Sequence, residues 1–244
     1  MEKTVRTSFN DSFINNYAKY GSAIFLDENS TLHLSHADFK SNTTMYWGLI
    51  ELRSSMFSVN NTSFHDMKSK YTTVLHAEES FGNITNCSFK NLEATNTGGA
   101  LAFKEFSKNV SIKDSIFDNV SSAKNGGALF VDVEGSNSEL KGRIIIRSSR
   151  FNDCFSSYGG AILQLGGLLD MQDSVFTKNR ATGNGGTLYT SFTNLTINKG
   201  TFSANSASDK NSLGGAAYFD AGFMCVKNSR YFKYCKTGRS NLHL

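Results

Sequence analysis

The chain alternates apolar and polar residues over short stretches, and the alternation returns at a regular interval. A phenylalanine recurs at Phe13, Phe39, Phe64, Phe89, Phe117, Phe151, Phe176, Phe202 and Phe232, in steps of 26, 25, 25, 28, 34, 25, 26 and 30 residues. Five residues before each of the inner seven stands Leu34, Val59, Ile84, Ile112, Ile146, Met171 or Ile197. Two residues earlier again come Leu32, Phe57, Gly82, Val110, Ile144, Leu169 and Leu195. Apolar residues at i and i+2 with polar ones between predict a strand with one buried face. In the last repeat Val226 precedes Phe232 by six residues, so either a bulge intervenes or Tyr231 takes the ladder place.

A second strand follows each Phe by about ten residues and opens on a glycine pair. The cases are Gly98-Gly99-Ala100-Leu101, Gly126-Gly127-Ala128-Leu129, Gly159-Gly160-Ala161-Ile162, Gly185-Gly186-Thr187-Leu188 and Gly214-Gly215-Ala216-Ala217, with Gly21-Ser22-Ala23-Ile24 as a near match. Trp47-Gly48-Leu49-Ile50 and Thr72-Thr73-Val74-Leu75 are degenerate versions. Glycine meets a backbone need here, either a corner at positive φ or a close approach of stacked chain.

Strand, corner, strand, corner at this length, without helical periodicity, predicts an all-β fold: a right-handed parallel β-helix of about nine coils with roughly 25 residues per coil. At one rung per ~4.8 Å the coils make a rod roughly 40 Å long. An antiparallel sandwich, the competing reading, calls for hairpin turns and gives no reason for a fixed Phe register. Residues 1–244 then form one solenoid domain, with insertions at 132–142 and 204–213 where a binding surface is most readily added. The position three after each Phe reads Asn16, Asn42, Met67, Leu92, Val120, Cys154, Asn179, Asn205 and Cys235. Its apolar members place the column inward, where each Asn amide needs a backbone or neighbouring-rung partner.

Composition narrows the class. There are 21 glycines and no proline, which excludes collagen; 39% of residues are hydrophobic, which excludes disorder. No apolar run approaches the roughly 18–20 residues that cross a bilayer as a helix. A net charge of +4 without clustering leaves no nucleic-acid footprint.

The pairing of F-x-x-N (Phe13–Asn16, Phe39–Asn42, Phe176–Asn179, Phe202–Asn205) with G-G-A-[ILV] resembles the repeats of the chlamydial polymorphic outer membrane proteins, within the group of pectin-lyase-like right-handed β-helices. The resemblance runs from about Ser8 to Cys235. It implies a surface protein on a β-helix, a fold that hosts adhesins, lyases, hydrolases and spacers alike. Proteins of that kind carry a leading signal and a C-terminal membrane barrel. Met1–Asn10 has no hydrophobic core and no barrel pattern is evident, so the chain is expected to be either a segment of something longer or a relative that works without a barrel. The absence of polar end caps points to self-association or continuation of the same chain at the solenoid ends.

Candidate chemistry is sparse. N-x-[ST] sequons at Asn10, Asn29, Asn60, Asn61, Asn83, Asn86, Asn109, Asn119 and Asn194 are glycosylation candidates; Asn42 is set apart because its column points inward. With Asn42 they number ten, against about five expected by chance from 24 Asn and 51 Ser plus Thr. Corners crowded with Asn and Ser supply the structural alternative. Cys87 and Cys154 read as buried thiols, and Cys225 with Cys235, on the last coil, as the candidate disulfide. The nearest approach to a catalytic cluster is Asp114 and Asp173, two coils or roughly 9–10 Å apart, with Arg147, Arg150, Asp153 and Lys178 nearby. Their column also reads Asn10, His36, Asn61, Asn86, Ser148 and Lys199, the residues of a polar turn. The five histidines fall in different columns, so no metal site and no cofactor is expected. The expected function is a non-enzymatic extracellular or cell-surface solenoid, structural, adhesive or filament-forming, with a surface glycan or receptor as partner. The alternatives are a polysaccharide lyase or hydrolase and an inert spacer.

Overall fold

The computed structural model describes residues 5–133 and 142–232, with side chains through residue 230. It contains no helix among the described residues and is 56% strand, wound as a parallel β-solenoid of about eight turns spaced about 26 residues apart. Most of the 132–142 excursion lies outside the described residues. Every pairing between named strands is parallel, which removes the sandwich alternative.

Three sheets run the length of the rod. One coil shows the plan: Phe81–Thr85 belongs to an aliphatic sheet, Ser88–Ala94 to a phenylalanine sheet and Leu101–Lys104 to a glycine-alanine sheet. The aliphatic sheet has nine strands in strict sequence order, and the glycine-alanine sheet has eight. The phenylalanine sheet carries nine on its main path, with short strands such as Phe155–Ser156 beside it. Eight steps between nine rungs give eight turns, one fewer than the count of phenylalanines suggests.

Register follows the sequence columns. Val59, Ile84, Ile112, Ile146, Met171, Ile197 and Val226 stand over one another. Phe13, Phe39, Phe64, Phe89, Phe117, Phe151, Phe176 and Phe202 form one pile with centroid separations of 4.4, 5.0, 5.2, 4.5, 4.5, 5.1 and 4.8 Å. Neighbouring planes lie within 16° of parallel. A rung spacing of ~4.7–4.9 Å sets these separations, which suit the offset stacking that aromatic rings prefer. Phe13 is half-buried and the other seven are buried. The ninth place is a correction: Tyr231, not Phe232, stands opposite Phe202, and Phe232 falls opposite Ser203. Val226 precedes Tyr231 by the usual five residues, so no bulge is needed.

The corners are equally regular. Asn10, His36, Asn61, Asn86, Asp114, Ser148, Asp173, Lys199 and Asn228 all have φ between 48° and 56°. This is the left-handed region, which Asn and Asp tolerate best after Gly. The corner amides still pair from coil to coil, as in Asn86 N–H to the Lys113 carbonyl at 3.0 Å and Asp114 N–H to the Arg147 carbonyl at 3.1 Å. Immediately after the corner a small residue turns inward. Ser115, Ser149 and Ser174 form a ladder there, each hydroxyl accepting the backbone N–H of the rung before and donating to the carbonyl two residues back.

At the glycine pair both backbone needs are met, one by each residue. Gly126 has φ of 59°; a Cβ on Gly127 would collide with the carbonyl oxygen of Gly160. Within the 204–213 excursion, Ser206–Ala207 keeps register with Arg180–Ala181, so the irregular part is confined to a turn closed by Ser212 N–H on the Asp209 carbonyl at 3.0 Å.

Candidate functional site: a polar groove on the outside of the phenylalanine sheet

Each full strand of the phenylalanine sheet bends once, two residues after its Phe, at Asp66, Asn91 and Asn119, whose φ values are 54°, 53° and 53°. Stacked bends leave a concave outer surface. It forms a groove of about 460 Å³ lined by Ser41, Asn42, Thr43, Thr44, Asp66, Met67, Lys68, Asn91, Leu92, Glu93, Asn119 and Ser121. Met67 and Leu92 close its floor from the core, and the rest are polar.

The bend residues are tied in one direction along the rod. Asn119 Nδ2 donates to Asn91 Oδ1 at 2.9 Å, and Asn91 Nδ2 donates to Asp66 Oδ1 at 2.8 Å. The other Asp66 oxygen meets His65 Nδ1 at 2.9 Å and Lys40 Nζ at 3.8 Å. The His65 contact, then the Asn91 amide, hold the Asp66 carboxyl below its ordinary 3.8. His65 is raised above 6.5, chiefly by its hydrogen bond to Asp66 and then by Asp38, whose oxygens lie 3.2 and 3.4 Å from Nε2. On the opposite wall Lys68 and Glu93 pair at 2.7 Å. Thr44, Lys68, Glu93, Ser121, Phe155, Arg180 and Ser206 share this outward column, rung after rung.

Asn42 is a second correction. It is exposed and lines the groove instead of pointing inward. Phe39 pairs with Phe64 but Thr44 pairs with Lys68, so this turn has one residue more than the next coil, and Ser41 takes the buried place. Asn179 and Asn205 do lie inward, as their column requires. Asn205 Oδ1 accepts Asn179 N–H at 2.9 Å and Asn205 Nδ2 donates to the Phe176 carbonyl at 3.0 Å; Asn179 does the same for Cys154 N–H and the Phe151 carbonyl.

The remaining sequon residues sit on the outside. Asn10, Asn29, Asn61, Asn83, Asn86, Asn109, Asn119 and Asn194 are exposed and Asn60 is half-buried. Some of their amides are already engaged: Asn86 Nδ2 donates to Asn61 Oδ1 at 2.6 Å and Asn60 Nδ2 to Ser58 Oγ at 2.9 Å. Asp114 and Asp173 are exposed at left-handed corners with Ser148 on the rung between, each near a lysine, Lys113 at 3.5 Å and Lys199 at 3.8 Å. Cys87 and Cys154 are buried; burial raises the Cys87 thiol to about 11 and the Cys154 thiol further. Cys225 is exposed on its strand, and Cys235 and His243 lie outside the described residues.

One polar feature had no signature in the Phe register. Glu51 and His76 are buried on the outward face of the glycine-alanine sheet, Oε1 to Nδ1 at 3.1 Å, with the Trp47 ring 5.0 Å from the imidazole and stacked on Tyr71 at 4.1 Å. Charged residues at positions that hold Ala102, Phe130 and Leu163 on later rungs could have marked it.

Fold and groove together define a repeat solenoid with a regular interior and a side-chain array outside. Residues 173–191, which run from one left-handed corner through the Asn179 column to the following glycine pair and strand, match a Chlamydia polymorphic membrane protein (Chlamydia_PMP) repeat. The motif pair in the sequence and a family repeat thus coincide on a parallel β-solenoid. No curated protein matches the chain.

Proposed function

We propose that this chain is a surface-displayed, non-enzymatic solenoid that serves as a structural and adhesive module. The observation that carries the reading is the contrast between inside and outside. The phenylalanine pile repeats one ring and the neighbouring inward column of Val59, Ile84, Ile112, Ile146 and Met171 stays aliphatic, whereas the outward column beside the pile changes from Thr44 through Lys68, Glu93 and Ser121 to Phe155 and Arg180. A scaffold whose exterior varies on an invariant backbone suits recognition by many weak, spaced contacts. The match to a membrane-protein repeat at 173–191 supports display at a cell surface. Self-association through the solenoid ends belongs to the same reading, because the core-facing Phe13 and Ile24 of the first rung are only half-buried, where Phe39 and Ile50 on the next rung are fully buried.

The test is retention on cells. Beads coated with the folded chain should bind cultured cells and beads coated with the heat-unfolded chain should not. The rival enzymatic reading predicts turnover of uronate or neutral glycans that Asp114→Asn or Asp173→Asn abolishes. Such turnover, without specific retention, would overturn the adhesive assignment.

A further inference from the structure

We infer that the groove along the phenylalanine sheet binds a neutral, unbranched oligosaccharide laid parallel to the solenoid axis, with Phe155 as its stacking platform. This deepens the adhesive reading and rests on it only for biological purpose; the binding itself is a separate claim.

Three features of the groove carry the inference. The first is its charge balance: Asp66 faces Lys40 and His65, and Lys68 is paired with Glu93, so no uncompensated charge is left to hold a uronate or sulfate. The second is the mixture of groups along its walls. Amides of Asn42, Asn91 and Asn119, hydroxyls of Thr43, Thr44 and Ser121, and the Lys68–Glu93 pair put donors and acceptors side by side on every rung. Vicinal sugar hydroxyls, each both donor and acceptor, are satisfied by that pattern. An extended peptide would want apolar pockets for alternate side chains, and the apolar residues in the lining, Met67 and Leu92, are sealed in the core.

The third is the ring at one end. Phe155 stands one rung beyond Ser121 in the same outward column and is 37% exposed, unlike the buried rings of the pile. Sugar-binding sites join such an apolar face to a few placed polar groups. Here the two occur in one straight line, because rungs align them.

Isothermal titration with cellohexaose, xylohexaose and laminarihexaose, with hexagalacturonate as the charged comparison, tests the assignment. At least one neutral hexasaccharide should bind and should outcompete hexagalacturonate. Phe155→Ala and Glu93→Ala should each weaken it tenfold or more while the β-sheet circular dichroism of the folded chain is kept. On titration the side-chain amide NMR signals of Asn91 and Asn119 should shift and those of buried Asn179 and Asn205 should not. Absence of binding to all three neutral sugars would overturn the inference, as would binding that neither variant alters. Loss of cell retention with sugar binding intact would instead count against the adhesive role alone.

Discussion

At the scale of single residues, the coil is governed by corners held at positive φ by side chains other than glycine. Asn10, Asn29, Asn61, Asn86 and Asn119 are sequon residues and all stand at such corners, with φ of 48–55°. Asn10, Asn61 and Asn86 lead to Ser12, Ser63 and Ser88, the outward residue just before each Phe. Corner chemistry followed by a strand's polar face therefore writes N-x-S without any call for a glycan. The Phe positions were legible because every rung presents the same ring-sized space. Asn42 was not, because an extra residue in a Ser-Asn-Thr-Thr turn changes no local signal, and Tyr231 displaced Phe232 because two adjacent aromatics read alike. His65 and Asp66 give a prediction at this scale. The raised histidine contributes stability below about pH 6.5 that disappears as pH climbs through its folded value. The lowered carboxyl contributes above about 3.8 and loses that as pH falls through its folded value. Denaturation of wild type and His65→Gln should therefore differ most between those limits and draw together as pH rises above them; a difference that grows at alkaline pH would refute the pairing.

At the scale of strands and corners, neighbouring coils are locked by ladders that use backbone as much as core. The serine ladder at 115, 149 and 174 and the asparagine ladder at 179 and 205 satisfy buried polar groups one rung at a time; in the sequence the asparagines stood out as amides in an inward column, while the serines carried no mark. The second glycine of each pair was legible as a demand for space, and the structure identifies the obstacle as the next coil's backbone. Gly127→Ala puts a methyl against the Gly160 carbonyl and the Phe155 backbone, neither of which can rotate away. We expect a loss of about 1–3 kcal/mol in urea denaturation; an unchanged midpoint would mean the coils are not packed at this distance. The groove was illegible for the opposite reason. Its lining comes from outward columns whose residue types vary, so only the bend at Asp66, Asn91 and Asn119 gathers them.

At the scale of the whole molecule, everything depends on coils lying directly over one another from the first rung to the last. Asp38, Ile116 and Arg230 occupy one outward column, three and four rungs apart. Rung spacing of ~4.8 Å places them about 14, 19 and 34 Å from one another. Such a column is collinear, so the two shorter spans sum to the longest, which no globular packing of the same strands requires. The direct measurement is pulsed electron–electron resonance on spin labels at Asp38→Cys, Ile116→Cys and Arg230→Cys, taken pairwise in a Cys225→Ser, Cys235→Ser background that leaves only the buried Cys87 and Cys154. Narrow distributions whose two shorter means add to the longest, after the label tether is allowed for, are the predicted result. Broad distributions, or a longest span well short of that sum, would contradict the stacked coil.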